Sequence, residues 1–310
     1  MAIGGNALTA EDQTGTWQQI TANADTIVAP LAQLVHDGWQ VVVVHGNGPQ
    51  VGNLAMQQEA GQAQVPAQPL HQLCAMTQGQ LGGVLVRAID RRCGEGVAVA
   101  IVTHVRIDPN DAAFASPSKP IGPFFDAQQA QALAAEGGWT VAEDSGRGYR
   151  RVVASPRPGE VVEMRAIRAL LESGHVVLAA GGGGVAVDAD LVGIDAIIDK
   201  DHTAAALATA VGASELYLVT GVDCVLLDFG TARQRPAHTL TPGQAEQHLA
   251  DGQFSPGSMG PKMRAALRFL SDGGHRAIIT SARLLAAAVA GEPGVGTIIA
   301  PAPPVTAEAS

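Results

Sequence analysis

Gln40–His45 forms an unbroken, largely β-branched run that ends in Gly46-Asn47-Gly48, and Pro49 follows where a first helical residue tolerates proline. Leu70, Leu73, Met76, Leu81, Val84, Leu85 and Ile89 then keep helical spacing, and Val97–Val102 reads as a second buried strand. From Thr103 to about Glu163 the pattern breaks down. That stretch is rich in Pro, Gly, Asp and Arg, with one short helix signal after Asp126, and is too long for a plain connection, so it is expected to be a lid or inserted subdomain. Regularity returns with a helix at Met164–Glu172, a strand at His175–Ala180 and the run Gly181-Gly182-Gly183-Gly184. A helix after Asp201 closes near Gly212, a strand at Leu216–Val219 enters Thr220-Gly221-Val222-Asp223, and Thr241-Pro242 opens a further helix. Gly257–Lys262 introduces a helix ending at Gly273-Gly274, and strand Ala277–Thr280 and helix Ala282–Ala290 finish the core. Strands alternating with helices predict an α/β protein, a mostly parallel sheet covered on both faces, with ligands at the carboxyl ends of the strands. The glycine clusters fall at those ends.

Composition sharpens this picture. The 310 residues suffice for one large domain or two lobes; 46% are apolar, 15% charged and 4% aromatic, and the 37 glycines exceed the usual ~7% share, so Ala, Val, Leu and Ile must form the core around tight turns. No apolar stretch reaches the ~18–20 residues that span a bilayer and no basic-then-apolar leader precedes the start, so a soluble cytoplasmic protein without a membrane partner is expected. A formal net charge of −10 argues against nucleic acid as a partner. Cys74, Cys93 and Cys224 are few, scattered and without Cys-x-x-Cys spacing, which points to core thiols rather than disulfides or zinc.

Candidate chemistry begins with a count. Of 19 basic residues only Lys119, Lys200 and Lys262 are lysines, each in a Gly, Pro or Asp context. An ammonium can approach one phosphate oxygen where a planar guanidinium does not fit, so the three read as phosphoryl-contacting groups; the competing reading is chance placement in a Gly-rich chain. Asp201, between Lys200 and His202, can orient its neighbour. Gly4-Gly5-Asn6, Gly46-Asn47-Gly48 and Gly181–Gly184 read as backbone nests that together could hold a polyphosphate, or simply as turns after strands. The dinucleotide fingerprint fails at Gly46, a Gly-x-x-x-x-Gly-Lys-Ser/Thr loop is absent, and neither His-Glu-x-x-His nor Gly-x-Ser-x-Gly occurs. His45 reads as a packed histidine, Asp126 and Asp190 as cap or loop residues, and Arg147, Arg150 and Arg151 as a solvated lid face.

At these residues the chain resembles the carbamate kinases of the amino acid kinase family. The matches are Gly4-Gly5-Asn6-Ala7-Leu8, His45–Gly52, Lys119-Pro120-Ile121-Gly122-Pro123, Gly146–Val153, Gly181–Gly184, Ile198-Asp199-Lys200-Asp201 and Gly257–Lys262, in family order. The resemblance implies a three-layer αβα sandwich with an open, mostly parallel sheet of about eight strands and an inserted lid. It implies an acceptor lobe over about 1–173, with the lid at about 103–163, a nucleotide lobe over about 174–300, and a homodimer; residues 301–310 are expected to be a disordered tail. The implied reaction is reversible phosphoryl transfer between ATP and carbamate, with Mg2+ carried by ATP or ADP and no metal held by the protein alone. Lys119, Lys200, Asp201 and Lys262 would be catalytic; Gly4, Gly5, Asn6, Gly46, Asn47 and Gly48 would bind the acceptor; Gly181, Gly182, Gly183, Gly184, Asp223 and Met259 would lie toward the nucleotide. Carbamate is already an oxyanion, so alignment and charge neutralisation suffice without a general base. A related kinase with another acceptor, or a nucleotide-binding regulator without turnover, are the alternatives. Only Met1-Ala2-Ile3 precede Gly4, so the first central strand is expected to be nearly missing.

Overall fold

The computed structural model describes residues 1–9, 13–144, 146–255 and 257–302, with the backbone alone described at Asn6 and Glu136. In chain order the first half carries β1 (Ala2–Ile3), α1 (Gly5–Leu8), α2 (Trp17–His36), β2 (Val42–His45), α3 (Gly48–Gly61), α4 (Leu70–Cys93), β3 (Ala98–Ala100), β4 (His104–Arg106), β5 (Lys119–Phe125), α5 (Ala127–Gly137), β6 (Val141–Glu143) and β7 (Tyr149–Val153). The second half carries α6 (Met164–Glu172), β8 (Val176–Leu178), β9 (Val185–Val187), α7 (Lys200–Val211), β10 (Glu215–Thr220), β11 (Val225–Leu227), β12 (Arg235–Ala237), β13 (Thr239–Leu240), α8 (Pro242–Ala250), α9 (Met259–Ser271), β14 (Arg276–Ser281), α10 (Leu285–Val289) and β15 (Thr297–Ile299).

Among the described residues, eight strands form the central sheet in the order β13-β15-β14-β10-β1-β2-β8-β3, parallel throughout except at the β14–β15 pair. The two-residue side-chain period of a strand divides it into two cores. Ala2, Val44, Val177 and Leu218 face α7 and α9 with Leu207, Met263 and Phe269. Ile3, Val43 and Leu178 face the opposite layer, where α2 and α4 supply Ile27, Leu31, Leu81 and Leu85.

The helix α2, which the pattern reading above leaves out, carries a signal that could have found it: a capping box at Thr16 and Gln19 followed by buried Ile20, Ala24, Ile27, Val28, Leu31 and Leu34. Its internal Pro30 obscures that signal. The irregular stretch is more ordered than its composition suggests. β5, β7 and β6 make a separate antiparallel sheet, α5 starts at a capping box on Asp126, and β4 pairs with β9. Of the lid arginines Arg147 is exposed, as expected, but Arg150 and Arg151 are not a solvated face. Arg150 is 13% exposed, donates from Nε to Gly122 O at 3.0 Å and lies with Arg147 over the Phe124 ring, while Arg151 lies over Trp139. Of the expected tail, Pro301 and Ala302 are exposed and 303–310 lie outside the described residues.

β1 is as short as expected and occupies the middle of the sheet. Ala2 pairs with Leu218 and Val44, and Ile3 with Val219 and His45. β10, however, begins at Glu215, three residues before its first β1 partner, Leu218. The gap one strand wide that remains opens into a cavity of about 510 Å3 lined by Leu34, Trp39, Leu171, Leu207, Val211 and Tyr217, among others. The Met1 amine sits at its edge and donates to Val42 O at 2.7 Å. Burial pushes that amine down to about 5.

Candidate active site

The carboxyl ends of β1 and β2 deliver two glycine turns to one point. A Cβ on Gly46 would stand 2.5 Å from Gly5 N and 3.0 Å from Lys200 Cδ, so only the bare backbone allows the turns after β1 and β2 to touch beside Lys200. Asn47 is buried and its Nδ2 donates to Thr77 Oγ1 of α4 at 2.9 Å, which fixes the second turn. His45 is packed beneath it, its Nδ1 3.1 Å from Gly46 O, and burial lowers its pKa to about 4.

The sheet ends also gather the three lysines, which come from three separate elements. Lys200 opens α7, Lys262 lies in the first turn of α9, and Lys119 opens β5 of the inserted sheet. Asp201 bridges the first two: Lys200 Nζ donates to Oδ1 at 2.9 Å and Lys262 Nζ to Oδ2 at 3.1 Å. Asp201 is 3% exposed and Lys262 7%. Burial works against the Asp201 anion, but the two ammoniums outweigh it and hold its pKa below the ordinary carboxylate range. For Lys200 burial is likewise overcome, by Asp201 and Asp199, and the pKa rises. For Lys262 burial prevails with the charge of Lys200, and the pKa falls below that of an ordinary lysine.

Asp199, which sequence reasoning did not single out although it sits in the Ile-Asp-Lys-Asp motif, holds the third lysine. Its Oδ2 accepts from Lys119 Nζ at 2.5 Å, and its Oδ1 accepts the amide of Asp201 at 2.9 Å as the N-cap of α7. Against burial, Lys119 and Lys200 keep its pKa well below the usual range. The inserted sheet is seated by a second close approach: a Cβ on Gly52 of α3 would collide with the Gly122 backbone of β5.

Comparison with known proteins decides the family. Residues 1–281 match the profile of the Amino acid kinase family. The chain belongs to that family. It is 42% identical over 303 residues to the carbamate kinase of Pyrococcus horikoshii, covering 95% of this chain and 96% of that one. Among solved structures it is similar to carbamate kinase from Giardia lamblia bound to citric acid, with a TM-score of 0.91 at 35% identity, and to the same protein bound to AMP-PNP, with a TM-score of 0.86 at 35% identity; each alignment covers 97% of both chains. The eight-stranded α/β sandwich is that of these kinases.

Within this family member the remaining sequence-predicted residues lie in three places. Gly4 and Gly5 stand at the carboxyl end of β1, where Gly4 N donates to Val219 O at 3.1 Å; of Asn6 only the backbone, in α1, is described. Gly181–Gly183 are buried and, with Gly184, wedge against His45, Asn47, Val105 and Ile198, and Thr203 of α7 donates to Gly183 O at 3.0 Å. The run is therefore a partition between the second glycine turn and α7. Asp223 lies beyond β10, accepts from Ser281 Oγ at 2.6 Å and pairs with Arg283, whereas Met259 opens α9 one turn before Lys262. No group of three metal-ligating side chains occurs among the described residues, and none of their helices is long and apolar enough to cross a membrane.

Proposed function

We propose that this chain is a carbamate kinase, catalysing ADP plus carbamoyl phosphate to ATP plus carbamate and the reverse. The observation that carries the reading is the convergence of Lys119, Lys200 and Lys262 on Asp199 and Asp201 beside the Gly5–Gly46 contact. The Pyrococcus horikoshii carbamate kinase, 42% identical over nearly the whole chain, supports the choice of acceptor.

In the direction of carbamate phosphorylation, a carbamate oxygen attacks the γ-phosphorus, the new O–P bond forms, and the bond to the β,γ-bridging oxygen breaks. No proton moves, because the nucleophile is already an anion, and the barrier is one of alignment and charge. Held ammoniums stabilise the charge on the transferring group without reorganising as it passes. This arrangement also explains why the lysines are buried beside carboxylates. Such pairs contribute little net stability, and their value here is that the charges are in place before the phosphoryl group arrives.

Under this proposal residues of about 1–173 bind the acceptor, with Gly4, Gly5, Asn6, Gly46, Asn47 and Gly48 at its oxygens, and about 174–300 bind the nucleotide, with Gly181–Gly184, Asp223 and Met259 toward it. The AMP-PNP complex of the Giardia lamblia enzyme supports nucleotide use. Asp199 and Asp201 are engaged by lysines and amides, so Mg2+ fits as a companion of the polyphosphate rather than in a cage of protein carboxylates. The inserted segment 103–163 closes over the acceptor and excludes water. The functional unit is a homodimer. Coupled detection of ATP from ADP and carbamoyl phosphate tests the reading. The same assay in reverse, with acetylglutamate, aspartate and nucleoside monophosphate as competing acceptors, must favour carbamate; turnover of another acceptor alone would replace the assignment, and ADP binding without turnover would make the chain a regulator.

A further inference from the structure

Asp199 divides its two oxygens between two tasks. Oδ1 is taken by the amides of Asp201 at 2.9 Å and His202 at 3.4 Å, the second and third residues of α7, which restrains the carboxylate from turning. Oδ2 is left for a single partner, the Lys119 ammonium, 80 residues away in sequence. Lys119 itself has little freedom of approach. Its backbone pairs with Val153, and three residues on its strand meets α3 at the Gly122–Gly52 contact. With Asp201 saturated by Lys200 and Lys262, the lid lysine would face two like charges across the site without Asp199.

We propose that Asp199 is a positioning residue that holds the Lys119 ammonium at the N-terminal end of α7 and thereby couples the inserted sheet to the phosphoryl-transfer site, a role that rests on the carbamate kinase reading above. Lys119 keeps two further N–H groups while paired with Asp199, so it can meet a phosphoryl oxygen without releasing its anchor. The pair is also the ionic tie between β5 and α7 and biases the lid toward its docked position. Asp199 touches no reacting atom in this scheme and acts through Lys119.

Asp199→Asn isolates the effect, since asparagine caps a helix about as well as aspartate while the oxygen that faced Lys119 becomes an uncharged NH2 that cannot accept from the ammonium. Its kcat for ATP formation is expected to fall about 10²-fold, as for a misplacement near 1 Å, with the KM for ADP nearly unchanged. The deciding measurement is a double-mutant cycle with Lys119→Ala. If Asp199 works through Lys119, adding Asp199→Asn to Lys119→Ala costs no further activity. Losses that multiply, or a full wild-type kcat in Asp199→Asn, overturn the proposal. Hydrogen exchange of the nucleotide-free protein supplies an arm independent of turnover: faster exchange over 119–153 in Asp199→Asn supports the tie, and unchanged exchange overturns it. A wild-type protein that makes no ATP from carbamoyl phosphate would sink the enzyme assignment while leaving that exchange comparison to decide the tie.

Discussion

The central sheet buries amines at both of its ends, with different consequences. At the carboxyl end, Lys200 and Lys262 share the Asp201 carboxylate; Lys200 holds its proton more tightly than an exposed lysine does, while burial and the charge of Lys200 make Lys262 hold its own less tightly. At the amino end, among the described residues, the Met1 amine has only the Val42 carbonyl, and burial pushes it down to about 5. A carbonyl dipole solvates an ammonium far less than a carboxylate at the same distance, so Lys200 holds its charge where the Met1 amine gives its own up. Under the proposed function one end presents cations to a ligand. The other is an unfilled slot in a sheet.

The sharpest way to break this contrast is to make the carboxyl end resemble the amino end. Asp201→Asn leaves two buried ammoniums facing each other; kcat is expected to fall by at least ~10²–10³-fold, and unfolding in denaturant to register a loss of about 3–5 kcal/mol. Near-wild-type values for both would remove Asp201 from its bridging role. Next in size, Lys119→Arg, Lys200→Arg and Lys262→Arg keep the charge but misplace it, and each should lower kcat by roughly 10²–10³-fold with thermal midpoints little changed. Arg87→Lys, on α4 over the exposed Trp17 ring, is the matched control and should turn over normally. Arg283 is no substitute for that control, because it pairs with Asp223.

His45 tests whether position in the sheet or counter-charge decides. It lies at the carboxyl end, yet without a carboxylate its pKa drops from 6.5 to about 4. Between those values the unfolded chain binds a proton that the native chain refuses, so stability falls as pH drops from about 6.5 to 4, by roughly 3 kcal/mol at most, and is fully regained above the unfolded value. His45→Asn should flatten that part of a stability–pH curve measured by denaturant titration; an unchanged slope assigns it to other groups. The Met1 amine has the same sign over its own window, with stability lost as pH falls from 8.0 toward about 5.

The smallest expected effect fills the slot. Adding about four aliphatic or β-branched residues before Met1 should lengthen β1 between β2 and β10, bury apolar surface worth about 2.5 kcal/mol per 100 Å2, and abolish the Met1 pH window. Unchanged thermal and denaturant midpoints would show that the slot does not accept a strand.

Much of the kinase was legible before any coordinates. The β-branched runs at Val42–His45 and Val176–Leu178, the glycine turns after them and the helices at Leu70–Cys93 and Met164–Glu172 are local patterns, and local propensity and periodicity report them directly. The rarity of lysine pointed to three positions that the fold does bring together. Less legible were α2, masked by Pro30, and the inserted sheet, whose short strands carry Pro, Gly and Arg in place of an apolar alternation. Arg150 and Arg151 read as solvent-facing by composition, yet aromatic rings and a carbonyl half bury them.

The sequence by itself therefore determined the alternation of elements, the parallel sheet, the places where bare backbone is required, and the three rare lysines that the fold gathers. Each depends on residues within a few positions of one another. Only the tertiary structure decided that Asp199 answers Lys119, that Gly52 admits Gly122, that Asp201 stands between lysines 62 residues apart, and that a strand-wide gap opens beside Met1. Those pairings join segments whose separation along the chain leaves no periodic trace. They are selected by close packing and by the need to neutralise buried charge, and both act only once the layers are assembled.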